Sequence, residues 1–211
     1  MDDPMTQDPA FMAVIRDYEA RAAREDALIA SLSGPDLMQR RDELLLSVGR
    51  PAAVLLNLLI KESRATRILE VGSSYGYSTQ WLAEGARAVE GKVISLELQA
   101  SKAEYATAQL ARAGLADQVE FVIGDALAAL RQLPGPFDFV LIDLWKELYV
   151  PVWDLLQGKL AAGALVVADN MISPASAQPE VRAYRERVRA TAHISSVLLS
   201  VGNGLELSRY R

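Results

Sequence analysis

Between residues 67 and 168 short apolar runs alternate with longer stretches of helical spacing, and few folds accommodate that alternation. The runs at 68–71, 93–98, 119–123, 139–142 and 164–168 have the length and the β-branched or aromatic content of strands. The segments 77–89, 101–113, 126–133 and 148–159 between them repeat apolar residues at helical intervals. This β-α-β-α order predicts an α/β protein built on a parallel sheet with helices on both faces. Phe139-Val-Leu-Ile142 is apolar without alternation, as a strand covered on both faces must be. A further helix is expected over 179–189, followed by strand-like runs at 194–201 and 205–210. Gly202-Asn203-Gly204 between those runs is a hairpin signal, so the sheet is expected to end in an antiparallel pair and to hold seven strands.

The first sixty residues are different. Phe11, Val14, Ile15, Tyr18, Ala22, Leu28, Ile29 and Leu32 fall at mostly helical spacing from about 10 to 31, and Ser33-Gly-Pro-Asp36 breaks that helix. Residues 37–46 and 51–62 read as two more helices, with Pro51 near a helix start. Together residues 1–62 are expected to form a helical cap on a core of 67–211, within a single domain spanning 1–211. Leu46-Ser-Val-Gly-Arg50 is a loop able to reach the active site.

Composition narrows the function. A net charge of −5 disfavours nucleic-acid binding, and no apolar run approaches the roughly 20 residues of a membrane span. The absence of cysteine excludes thiolate zinc sites and cysteine nucleophiles. The acidic start, Met1-Asp-Asp-Pro, is unlike a signal peptide and argues for the cytoplasm. The expected partner is a small molecule, for a monomer or homodimer.

Two of the predicted strands end in oxygen donors. Asp143 follows Ile142, and Asp169-Asn170 follows Ala168. If these strands are neighbours, about 4.8 Å apart, Asp143, Asp169 and Asn170 converge at the carboxyl edge, where open α/β sheets bind ligands. Two carboxylates and an amide oxygen suit a hard divalent cation.

The first strand runs through a glycine-rich turn, Ile68-Leu-Glu-Val-Gly72-Ser-Ser-Tyr-Gly76-Tyr77-Ser78, into a helix whose amino end suits an anion. A dinucleotide fingerprint would place glycines where Ser74 and Tyr77 stand, which counts against a nicotinamide cofactor. Glu70 with Gly72 and Gly76 instead resembles motif I of the class I S-adenosylmethionine-dependent methyltransferases. Glu97, ending the second strand, can hydrogen-bond both hydroxyls of an adenosine ribose. Gly124 and Asp125 follow the third strand; by the same resemblance the turn flanks the adenine, while Asp125 reads equally as a helix cap.

Asp143-Leu-Trp-Lys146, Asp169-Asn170 and Gly204-Leu-Glu206 together resemble the catechol O-methyltransferases, within the cation-dependent O-methyltransferase family. The likeness runs from about Leu46 to the carboxyl terminus. It implies a Rossmann-like methyltransferase fold, with Asp143, Asp169 and Asn170 binding magnesium or another divalent cation such as manganese or calcium. Lys146 would be the general base, and Glu206 would hold the second hydroxyl of an aromatic diol. Leu46, Val48, Trp145 and Pro174 would line the aromatic slot, with Asp143 and Trp145 also beside the cofactor. The chemistry is coherent: a phenol near pKa 10 is mostly neutral at pH 7, and a cation favours its ionised, nucleophilic form.

The chain departs from the family at Leu144, where the family has histidine, and at Tyr75, where it has a small residue. The loop 171–178, which should border the substrate, is short. His193, the only histidine, is expected to be structural or exposed. Competing readings are a nicotinamide-dependent oxidoreductase and a non-catalytic adenosyl-binding module.

Overall fold

The computed structural model describes residues 8–31 and 39–211. One mixed sheet runs through it. β1 (Arg67–Val71), β2 (Lys92–Glu97), β3 (Val119–Ile123), β4 (Phe137–Ile142) and β5 (Leu160–Ala168) are parallel. β6 (Ile194–Leu199) and β7 (Leu205–Tyr210) complete the order β3-β2-β1-β4-β5-β7-β6, with β7 antiparallel to both neighbours. The strand order reverses between β1 and β4, which opens a crevice at their carboxyl ends.

The helices are α1 (Pro9–Ser31), α2 (Arg50–Ser63), α3 (Tyr77–Ala88), α4 (Ala100–Arg112), α5 (Ala126–Gln132), α6 (Tyr149–Leu156) and α7 (Gln178–Arg189). They cover both faces, because the pleat sends alternate side chains of the central strands to opposite sides. Ile68, Phe139, Leu141 and Val167 join Phe11, Ile15, Leu56 and Trp81 in one buried layer. Leu69, Val71, Val140 and Ile142 join Leu130, Trp153 and Tyr184 in the other. Each large side chain so buried contributes about 1.5–3 kcal/mol. α1 is part of the first layer, with Phe11 edge-on to Trp81 at 5.1 Å.

Three sequence expectations need correction. The helix expected over 37–46 does not reach Leu46; residues 37 and 38 and the break at 33–36 lie outside the described residues. After a 3-10 turn at Arg41–Glu43, the Leu45 amide donates to Glu25 Oε2 at 2.5 Å, and Leu46 turns left-handed at φ 46°. A side-chain acceptor thus takes a donor that a helix would have used. β5 begins at Leu160, four residues early, because Leu160 pairs with Phe137 across a register shift. α6 is shorter than expected: a 3-10 turn at Lys146–Leu148 takes its first residue, and the helix ends at Leu156.

The parallel ladders bring the strand ends together. Val71 pairs with Ile142, and Ile142 with Ala168. One residue on, the Gly72 amide donates to Leu96 O (3.0 Å), Asp143 N to Val71 O (3.0 Å) and Asp169 N to Ile142 O (3.1 Å). Gly72, Asp143 and Asp169 therefore stand side by side on one edge.

Candidate active site

The turn after β1 requires its glycines. Gly72 has φ +92°, and a Cβ there would lie 2.3 Å from Asp143 O; at Gly76, φ +89°, it would lie 2.5 Å from the Ala106 Cβ. The first contact is backbone and cannot give way, so the turn packs directly on the Asp143 peptide. Glu70 lies beneath it, fully buried, accepting from Ser78 Oγ, Thr79 Oγ1 and Ser95 Oγ at 2.6 Å each. It fastens β1, β2 and α3 to one another, and it and Ser78 are spent on each other in this structure. Burial outweighs the three donors and pushes the Glu70 carboxyl up to about 7.

That shift makes a stability prediction. An acid raised from 4.5 to about 7 binds its proton more tightly in the folded chain than in the unfolded one. Its contribution is complete below pH 4.5 and is lost as pH rises through about 7. Urea unfolding of the unaltered protein and Glu70→Gln should therefore show the unaltered protein losing about 2–3 kcal/mol relative to the variant between about pH 5 and pH 8. A relative gain over that range would contradict the assignment.

Glu97 is nearly buried at the end of β2. Its Oε2 accepts from Ser74 N (2.8 Å) and Ser73 Oγ (3.4 Å), and its Oε1 from Gln99 N (2.9 Å). The acid thus ties β2 to the turn after β1. Gly124 adopts φ +133° with open space beside it. Asp125 caps α5, its Oδ1 accepting from Ala128 N at 2.8 Å, so the cap reading is the one realised here. Tyr77 is buried and donates to Glu19 Oε1 on α1 (3.0 Å).

The ends of β4 and β5 carry the charged centre. Lys146 Nζ lies 3.8 Å from Asp143 Oδ1 and donates to Leu144 O (2.9 Å) and Tyr149 Oη (2.7 Å). Burial pushes the lysine down against the pull of Asp143 and Asp169. Burial also raises Asp143, with Lys146 opposing it, and raises Asp169 to about 8, with the Asp143 charge adding to the rise. An acid raised both by burial and by a neighbouring carboxylate is short of positive charge. Asp169 is 1% exposed, and its Oδ1 is buried with no hydrogen-bond partner. Asn170 follows at φ 58°, a left-handed conformation that asparagine tolerates better than most residues.

These residues fit a hard cation: an orphaned buried carboxylate oxygen, a second acid on the neighbouring strand and an adjacent amide. The donor set is lean. Among the described residues no group of three or more His, Cys, Asp or Glu side chains could hold a metal, so the rest of the coordination would fall to the amide and to water or substrate oxygens.

The residues expected at the aromatic slot lie around this edge. Trp145 is 39% exposed and Leu46 46%, which removes Trp145 from the core. Val48 is buried, its carbonyl close enough that a Cβ on Gly202 would approach to 3.1 Å. Ser74 Oγ donates to Leu45 O (3.2 Å), holding the 44–49 loop against the turn after β1. Pro174 is exposed after a cis peptide bond in the 171–178 loop, where Ile172 is also exposed. His193 is exposed at φ 64°.

Glu206 is the exception. It pairs with Ala168 in register, one residue from Asp169, yet its side chain is fully buried beneath α7. Arg185 Nε binds its Oε2 at 2.8 Å, and Ser196 Oγ donates to its Oε1. In this structure both Glu206 oxygens are committed, and breaking a buried pair is costly. Arg185 and Tyr149 are the residues that reading the sequence missed. Tyr149 had a usable signal, lying three residues after Lys146; an arginine on a charged helix such as 179–189 offers none.

A sheet of this order, with its glycine turn beside an acid-lined edge, is that of the Rossmann-like methyltransferases. The chain belongs to the O-methyltransferase family, whose sequence profile matches residues 22–211. It is 40% identical over 149 residues to the catechol O-methyltransferase of Mycobacterium tuberculosis, a match covering 70% of this chain and 66% of that protein. The matched stretch is thus just under two thirds of the relative's length. The O-methyltransferase of Bacillus cereus in complex with SAH has a TM-score of 0.76 at 26% identity, covering 98% of this chain and 92% of that one. TomG of Streptomyces achromogenes, an O-methyltransferase of tomaymycin synthesis in complex with SAM, has a TM-score of 0.74 at 30% identity, covering 97% and 91%. No helix among the described residues is long and apolar enough to cross a membrane.

Proposed function

We propose that this chain transfers a methyl group from S-adenosylmethionine to a hydroxyl of a small aromatic bearing adjacent hydroxyls, assisted by a divalent cation. The observation that carries the reading is the meeting of Asp143, Asp169 and Lys146 at one edge, with an unpartnered buried oxygen on Asp169. Relatives in complex with SAM and SAH support the donor, and a relative named for catechol supports the acceptor. Nothing favours the nicotinamide or the non-catalytic reading.

Asp143, Asp169 and Asn170 would hold the cation, and the turn from Gly72 to Gly76, with Glu97, would hold the methyl donor. When bound, the donor supplies a sulfonium methyl and the cation a Lewis acid that favours the phenolate. Lys146 then takes the hydroxyl proton at Nζ, helped by the burial that disfavours its own charge. Transfer would form an oxygen–carbon bond as the donor's sulfur–carbon bond breaks, and the residues at the two strand ends would orient the acceptor hydroxyl. Trp145 and Leu46 offer exposed apolar surface for a flat ring. With Glu206 paired to Arg185, the second hydroxyl is left to the cation side. The described part of the amino-terminal region, α1 and α2, would serve as a cap on one methyltransferase domain.

Incubation with S-adenosylmethionine, magnesium and a panel of catechols should give monomethylated product, and a chelator should abolish it. Full activity in chelator would refute the cation's role; a panel left unmethylated despite donor binding would refute the acceptor class.

A further inference from the structure

The hydroxyl of Tyr149 lies against Lys146 Nζ and two backbone carbonyls, and the direction of each of these hydrogen bonds is forced. Tyr149 is fully buried, its ring packed edge-on against Tyr184 at 5.4 Å. Its Oη lies 3.2 Å from Ile142 O and 3.1 Å from Asp169 O, and carbonyls only accept, so the phenolic proton is committed to them. Toward Lys146 the phenolic oxygen has only lone pairs to offer. Lys146 Nζ must therefore donate at this 2.7 Å contact, as it must to Leu144 O at 2.9 Å.

An amine acting as a base has two N–H bonds and one lone pair. Both N–H bonds are used by Tyr149 Oη and Leu144 O, which leaves the lone pair the one remaining tetrahedral direction. We infer that Tyr149 is a positioning residue, an immobile acceptor that orients the Lys146 amine so that its lone pair faces the reacting hydroxyl. The inference rests on Lys146 being the general base. Because Ile142 and Asp169 lie at the ends of β4 and β5, the tyrosine ties the amine to the same two strands that carry the acids.

Tyr149→Phe keeps the ring and its packing and removes the hydroxyl, both the acceptor for Lys146 and the donor to the Ile142 and Asp169 carbonyls. With catechol at saturating magnesium, kcat should fall on the order of 10- to 100-fold, with half-saturating S-adenosylmethionine and magnesium unchanged within about twofold. A crystal structure of the variant should show Nζ displaced from Leu144 O. A kcat within about twofold of the unaltered enzyme would overturn the inference. So would a raised half-saturating magnesium concentration, which would place the effect at Asp169, or a lysine that keeps its place. Lys146→Ala separates the two claims: if it stays active the base assignment itself fails, whereas an inactive Lys146→Ala beside an unimpaired Tyr149→Phe sinks only the role of the tyrosine.

Discussion

Lys146→Ala should lower turnover of a catechol by about 10²- to 10⁴-fold, the span of general-base contributions, while S-adenosylmethionine binds within about twofold of its normal affinity. The split follows from where the side chain reaches. Nζ contacts Leu144 O, Tyr149 Oη and Asp143 Oδ1, whereas the glycine turn meets Asp143 through its backbone oxygen. Removing the amine therefore leaves the turn's support intact. Single-turnover methylation and calorimetry with the donor check the two halves. Turnover close to normal would take the base out of the mechanism; a matching loss of donor affinity would make Lys146 a binding residue.

Asp169→Asn should do two opposite things. Cation-dependent turnover should drop by several orders of magnitude, because the variant loses one of the two carboxylates proposed to hold the cation. The ligand-free protein should become more stable. Asp169 titrates near 8 instead of 3.8, so the folded chain holds its proton more tightly than the unfolded chain, and stability falls as pH rises between those values. Asparagine has the same shape and no charge to bury beside Asp143. A gain of on the order of 1 kcal/mol near neutral pH, about 2–4 °C in melting temperature for a domain of this size, is expected in chelator. Adding magnesium should raise the melting temperature of the unaltered protein and not that of the variant. A less stable variant in chelator would mean that Asp169 serves the fold and not a ligand.

The architecture was legible because its signals are local. Apolar runs such as 139–142 can be buried on both faces, and Asn203-Gly204 marks the reversal into β7. The site was legible to the extent that it sits at strand ends: Asp143, Asp169 and Asn170 fall together once β4 and β5 pair, and that pairing follows from the alternation. What escaped depends on side-chain direction across elements distant in the chain. Glu206 lies at the right height on β7, but whether it faces a substrate or Arg185 is decided by α7, twenty residues away. Glu70 carries the motif while its three hydroxyl partners come from β2 and α3. The end of the helix expected at 46 was lost to one acceptor, Glu25, offered by α1 to the Leu45 amide.

On this reading two acids and an amide, from strands that are distant in sequence, share one cation beside the Lys146 amine. Diffraction from crystals soaked with manganese and S-adenosylmethionine, recorded at the manganese edge, tests it directly. A single anomalous peak bounded by the Asp143 and Asp169 carboxylates and the Asn170 amide is the predicted result. Donor density in the cleft with no peak between those three side chains would contradict it.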